Sequence, residues 1–253
     1  LDVTSHTQDF VETYYTDSLH ISQSLIAAYS PLQWNDWNGN QYNPQNAMSD
    51  IMGDDMLVGG QSVTDNQFWH LMANYEAQPN NCMTGMWSNM YCGVKRSNDL
   101  LKYANEHRQN IPAASYKLWT AEARTLRAYY YNMLWKFWGN IPFYFENLSA
   151  PFRAPQLSAD EVYNKVIADL EDVISMKVLP TRWDDANLGR VTQPTAYMLY
   201  AEMVMYQKDQ SRYPKALEYM QDIINSGKFN LNPNYADLFT AAGEWGDESI
   251  FEV

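Results

Sequence analysis

The run AEARTLRAYYYNMLWKFWGNIPFYFE, Ala121 to Glu146, limits the possible fold more than any other stretch. Trp119, Ala123, Leu126, Tyr130, Met133 and Phe137 recur at three- and four-residue spacing, which predicts a helix from about Ala114 to Trp138 with one core face. Leu118, Tyr129, Leu134, Trp135 and Trp138 widen that face almost all round. A helix apolar on most sides must be wrapped by others. Gly139 falls at the C-cap position and Pro142 prevents continuation. Arg124 and Arg127 are then semi-buried and need anionic partners, with Glu122 and Glu146 available.

Other segments repeat the helical pattern. Asp9 to Tyr29 and Met86 to His107 read as helices, and Asn66 to Asn74 as a short one. Ser158-Ala-Asp-Glu161 is a capping box that opens an amphipathic helix, ended by Pro180. Thr192 or Gln193 caps a helix running to about Lys208. Ser211 starts another, with Ala216, Leu217, Met220, Ile223 and Ile224 expected inward and Ser226-Gly227 as its stop. Tyr235 to Phe239 adds one turn, and Glu248 to Val253 reads as a short extended piece. The fold class is therefore all-α, with tetratricopeptide-like helix pairs and long irregular loops. Residues 32–66, rich in Asn, Asp, Gly and Gln, read as an ordered loop region of the kind that usually carries function.

Composition excludes several roles. A net charge of -13 with scattered Lys and Arg excludes a generic nucleic-acid binder. No run of 18 apolar residues exists, so no stretch is expected to span a bilayer as a helix. The start at Leu1 points to a segment ahead of it. Cys82 and Cys92, ten apart, leave a disulfide open and supply no metal framework. The four histidines share no ligand spacing, and no nucleophile elbow, phosphate loop or zinc motif is present. Asp50, Asp54 and Asp55 form an acidic cluster that misses the calcium-loop pattern. Two carboxylates suffice for glycoside hydrolysis, but 30 acidic residues make chance clusters common, so the expectation is no enzyme and no cofactor.

The 9 Trp, 19 Tyr and 9 Phe often sit beside amides and carboxylates, as in LQWNDWNGNQYNPQN, Leu32 to Asn46. Core packing accounts for most of them. The rest have the chemistry of a surface that stacks on sugar rings while polar neighbours bond to hydroxyls.

The Ala121–Glu146 run resembles the signature helix of the SusD/RagB family, the surface nutrient-binding lipoproteins of Bacteroidetes outer membranes. Leu1-Asp-Val-Thr resembles the segment after the lipidated cysteine. Trp87-x-x-x-Tyr91 with Asn98, Gly189-Arg-Val-Thr, Ser226-Gly-Lys-Phe-Asn-Leu and Glu248-Ser-Ile-Phe-Glu-Val follow in the same order. The family's chains are about twice this length, and the cysteine is absent here. The resemblance thus implies a single helical domain over 1–253 as the N-terminal portion of a longer protein, with 32–85 as a loop-rich ligand face and 86–253 as scaffold.

The resemblance further implies a non-catalytic protein of the cell outer membrane, lipid-anchored on the extracellular face and active in polysaccharide utilization. It would bind an oligosaccharide and deliver it to a SusC-like TonB-dependent transporter. Family position places the ligand loops within 32–85. The candidate platforms there are Trp37 and Trp69, and the candidate hydroxyl partners Asp36, Asp54, Asp55, Asn80 and Asn81. The alternatives are a docking module for peptide or glycoprotein ligands, and a glycosidase.

Overall fold

The computed structural model describes residues 10–34, 45–81 and 84–253. Among these, the helices are α1 (Val11–Tyr14), α2 (Ser18–Tyr29), α3 (Gln45–Met52), α4 (Gln67–Ala73), α5 (Thr84–Glu106), α6 (Ala113–Trp138), α7 (Ala159–Met176), α8 (Gln193–Gln207) and α9 (Tyr213–Asn225). Sheet is confined, in the described residues, to the antiparallel pair β1 (Ile141–Pro142) and β2 (Gln156–Leu157).

Helix α6 is the hub. It packs on α5, α7 and α2, and α7 packs on α8, which packs on α9. Its tyrosines explain themselves once their hydroxyls are followed. Tyr130 and Tyr131 are fully buried. Tyr130 Oη donates to the Ala28 carbonyl at 2.6 Å, tying α6 to α2. Tyr131 Oη donates to the Tyr144 carbonyl and accepts from the Tyr144 amide at 3.0 Å, fixing the chain that leaves the helix. Each ring fills core volume and its polar end satisfies backbone groups that would otherwise be buried unpaired. Gly93 on α5 makes room for this: a Cβ there would sit 2.4 Å from the Tyr130 ring.

The two arginines of α6 have a different partner from the one their sequence neighbourhood suggests. Both converge on Asp169 of α7, with Arg124 Nη2 at 2.6 Å and Arg127 Nη2 at 2.9 Å from its two carboxylate oxygens. Arg127 also donates to Asn98 Oδ1 at 2.8 Å and lies 4.0 Å over the Phe145 ring. Glu146 is exposed, and Glu122 serves Arg190. Residues one helical turn apart on α6 face α7, so the partner comes from the packed neighbour rather than from nearby sequence.

Four further expectations change. The helix expected over Asp9 to Tyr29 is two helices, because Asp17 accepts from the His20 amide at 2.9 Å and caps α2. Gln45–Met52 is helical inside the stretch read as irregular. Residues 248–253 form no strand. On α9, Ala216, Tyr219 and Ile223 are buried, whereas Leu217 and Ile224 are 58% and 72% exposed. Tyr219 takes the inward row by stacking on Tyr197 at 4.3 Å, which turns Leu217 and Ile224 outward. The capping boxes at Ser158 and Thr192 stand as read.

Candidate functional site

Helices α3 and α4 pack together, and Ile51 of α3 and Met72 of α4 are buried. The chain between them carries the predicted acidic residues. Gly53 and Asp55 donate their amides to Ser49 and Asp50 carbonyls, which closes a tight turn after α3. Asp54 occupies the left-handed region at φ 65°, and both Asp54 and Asp55 are exposed. Trp69 lies half-buried in α4. Beyond α4, Tyr75 adopts φ 57° and donates its hydroxyl to the Met52 carbonyl at 2.6 Å, which holds the two helix ends together. Asn81 donates its amide to the Gln78 carbonyl at 2.9 Å and Asn80 is exposed.

The structure thus places Asp54 and Asp55 on the turn after α3, Trp69 on α4, and Asn80 and Asn81 in the following loop. Asp36, Trp37 and Cys82 lie outside the described residues; Cys92 is a half-buried free thiol whose pKa burial pushes up.

A cleft of about 350 Å3 opens where this region begins. Tyr29, Ser30 and Gln33 contribute from the end of α2 and the 3-10 turn Ser30–Gln33. Gly189 and Arg190 come from the loop before α8, and Trp245 from the C-terminal loops. Trp245 is half-buried and held at φ 58°, a backbone region that bulky residues rarely enter. Strain of this kind costs roughly 1–3 kcal/mol and collects at ligand sites. Gly189 packs against the indole, and its φ of 83° is a backbone conformation that favours glycine. Arg182 pins the loop by donating to the Trp245 and Gly246 carbonyls at 2.9 and 3.2 Å.

Beneath the cleft sits Glu122, with no exposed surface. Its carboxylate accepts from Arg190 Nε at 3.0 Å, from Arg190 Nη2, and from Tyr29 Oη at 2.7 Å. Tyr29 Oη in turn accepts the Val191 amide at 3.0 Å. Burial, then the Glu122 carboxylate, pushes the Tyr29 hydroxyl well above its ordinary pKa. Burial opposes charge on Arg190, yet its bonds to Glu122 outweigh that and keep the guanidinium charged. The Arg190 plane also lies 4.2 Å over Trp183. One helix, α6, thereby fixes donors arriving from the end of α2 and from the loop before α8. Tyr29 Oη is spent in this network, and Arg190 Nη1 also donates to Asn187 Oδ1 at 2.7 Å. The result is an aromatic face with the remaining guanidinium N–H groups of Arg190 and the Gln33 amide beside it, a set suited to holding a hydroxylated ring.

Sequence reasoning passed over Trp245, Arg190, Tyr29 and Gln33. The available signal was a tryptophan between glycines in Gly243-Glu-Trp-Gly246, a turn composition that exposes a large ring. Among the described residues no group of three or more His, Cys, Asp or Glu side chains could hold a metal ion, and no helix is long and apolar enough to cross a membrane.

Comparison with known proteins agrees with this architecture. A family model described as "Starch-binding associating with outer membrane", the SusD-like group, matches residues 1–205. The structure is similar to surface glycan-binding protein A from Bacteroides uniformis, with a TM-score of 0.89 and 52% identity, covering 93% of this chain and 52% of that one. It is also similar to surface glycan-binding protein A from Bacteroides thetaiotaomicron in complex with laminarihexaose, with a TM-score of 0.87 and 50% identity, covering 93% and 49%. A curated relative, SusD-like protein P25 of Formosa agariphila, is 22% identical over 96% of this chain and 46% of its own length. The chain spans about half the length of these relatives.

Proposed function

The chain belongs to the SusD-like family, and on that premise we propose that it is a non-catalytic glycan-binding protein of the outer cell surface whose ligands include laminarin-type oligosaccharides. The observation that carries the proposal is 50% identity across 93% of the chain with a protein solved around laminarihexaose. The cleft supports it: Trp245 offers a stacking face, and Arg190 and Gln33 offer partners for hydroxyls. Stacking suits the apolar faces of sugars, and each neutral hydrogen bond adds only about 0.5–1.5 kcal/mol net, so affinity per sugar is modest. Asp36, Trp37, Asp54, Asp55, Trp69, Asn80 and Asn81 remain candidate contacts for further sugar units.

The proposal includes three parts taken from the family: residues 1–253 are the N-terminal portion of a longer protein, anchored by lipid, which passes its ligand to a SusC-like TonB-dependent transporter. Electrophoresis through gels containing laminarin tests the core of it. Retardation that weakens in Trp245→Ala is expected. Unretarded migration, with no heat on titration of laminarihexaose, would overturn it. In that case the remaining reading is a docking module for peptide or glycoprotein ligands. The outward apolar row Leu217 and Ile224 on α9 favours that reading, since exposed apolar patches mark interaction surfaces.

A further inference from the structure

A second groove, of about 800 Å3, lies between the C-terminal half of α5 and the strap 145–149, and it shares no lining residue with the Trp245 cleft. Asn98 lines it and is 3% exposed. Its Oδ1 is taken by Arg127, while its Nδ2 has no partner. Asn147, on the strap, is the converse case. Its Nδ2 donates to Asp99 Oδ1 at 2.6 Å and to the Lys95 carbonyl at 3.3 Å, while its Oδ1 accepts nothing. One unmade donor and one unmade acceptor therefore belong to side chains that line the same groove, both atoms lying just beneath its surface. Leaving a buried amide group unpaired costs about 1–3 kcal/mol, which a hydroxyl, both donor and acceptor, is suited to recover.

The walls narrow the ligand class. The half-buried rings of Tyr116 and Phe145 line the groove, with the exposed Asn105 amide beside them. Its cations are already matched: Lys95 meets Asp99 at 2.7 Å and Lys102 lies 3.9 Å from Glu106. Glu146, exposed on the strap, is the one carboxylate of the lining without a cation partner, so the groove does not favour an anion. Rings, amides and paired charges together fit a neutral polyhydroxylated molecule.

We propose that this groove is a second carbohydrate-accepting site, independent of the Trp245 cleft and engaging another stretch of the same glycan. The proposal rests on the glycan-binding reading above. A long glycan held at two places gains from effective concentration without any new contact.

The test is titration of the isotope-labelled 253-residue chain with laminarihexaose, followed by the side-chain amide resonances of Asn98, Asn105 and Asn147 and by the Trp245 indole resonance. The expected result is saturable shifts in both sets, with the groove shifts persisting in Trp245→Ala. Asn105→Trp, an exposed substitution that fills the groove, should weaken the groove response at least tenfold and leave the Trp245 response unchanged. Groove amides that stay still at saturation of the Trp245 signal would overturn the second site and leave the main reading standing. Silence in both sets would overturn the main reading and the groove with it.

Discussion

Tyr130 and Trp245 are both large aromatic residues packed against a glycine, yet they sit in opposite settings. Tyr130 lies in an unstrained helix, fully buried, its hydroxyl spent on a backbone carbonyl. Trp245 lies in a loop at φ 58°, half-buried, beside an arginine that α6 holds from below. The first ring is used up by the fold. The second leaves a face over, at a cost in backbone energy that the scaffold must absorb. Aromatic content alone therefore says nothing about a site; what separates platform from core is whether the polar end and the ring face are already satisfied within the chain.

The scaffold side of the contrast breaks most severely at Asp169. This carboxylate serves Arg124 and Arg127 together, and Arg127 is 5% exposed. Asp169→Ala leaves a buried guanidinium without its counter-charge, a change that typically costs about 3–5 kcal/mol. Chemical denaturation should show that loss, with laminarihexaose affinity unchanged in whatever fraction stays folded. A loss under 1 kcal/mol would mean that Asn98 and the Phe145 carbonyl, which accepts from Arg127 Nη1 at 3.1 Å, alone suffice for Arg127.

Next in size is Gly93→Ala. The added methyl overlaps the Tyr130 ring, and over-packing of a tight core costs roughly 1–3 kcal/mol. Combining it with Tyr130→Ala should give less than the sum of the two single losses, because the second change removes the atoms that the first one hits. Strict additivity would show that the glycine does not exist for this ring.

These two cases also show how far the sequence is legible. The hub helix, its stop at Gly139 and the capping boxes follow from local spacing, and local spacing is what a sequence displays. The partner of Arg124 and Arg127 lies 42 to 45 residues away, and proximity in sequence pointed to Glu122 and Glu146 instead. The inward row of α9 was misjudged for a related reason. Leu217 and Ile224 are more apolar than Tyr219, but the stack on Tyr197 decides which face turns in. The Trp245 cleft draws on α2, α6, the loop before α8 and the C-terminal loops, so no window of sequence contains it. Within the 32–85 region, the helix Gln45–Met52 was hidden by its amide-rich composition.

A smaller effect tests electrostatics within the scaffold. Asp209 takes bonds from Ser211, Arg212 and the Tyr163 hydroxyl, and these hold its pKa down to about 2, from 3.8. A depressed carboxylate pKa contributes stability above the unfolded value, and that contribution disappears as pH falls through the folded value. Asp209→Asn should therefore lower stability near neutral pH by about 1 kcal/mol. The gap between variant and parent melting temperatures should close between about pH 4 and pH 2. A gap that is constant with pH would assign the effect to hydrogen-bond geometry rather than charge.

The platform side of the contrast is sharpened by Trp245→Ala, where the expected change in stability is the smallest of all. The ring is half-buried and packs on Gly189, and its removal deletes some apolar contact. Loop substitutions away from caps, cavities and buried charges usually fall within about 0.5 kcal/mol. Alanine keeps the φ 58° backbone strained, so no stability is recovered either. Binding should respond in the opposite proportion, because sugar stacking on an indole has no substitute among Gln33, Arg190 and Tyr29. An aromatic stack worth about 1.4 kcal/mol corresponds to a tenfold loss in affinity for laminarihexaose. The pair of measurements separates the two roles: a ring that belongs to the scaffold lowers the melting temperature and leaves affinity alone, whereas a platform does the reverse. If Trp245→Ala melts several degrees lower while its titration with laminarihexaose is unchanged, Trp245 is a second Tyr130, and the cleft above Glu122 is packing rather than a place where sugar sits.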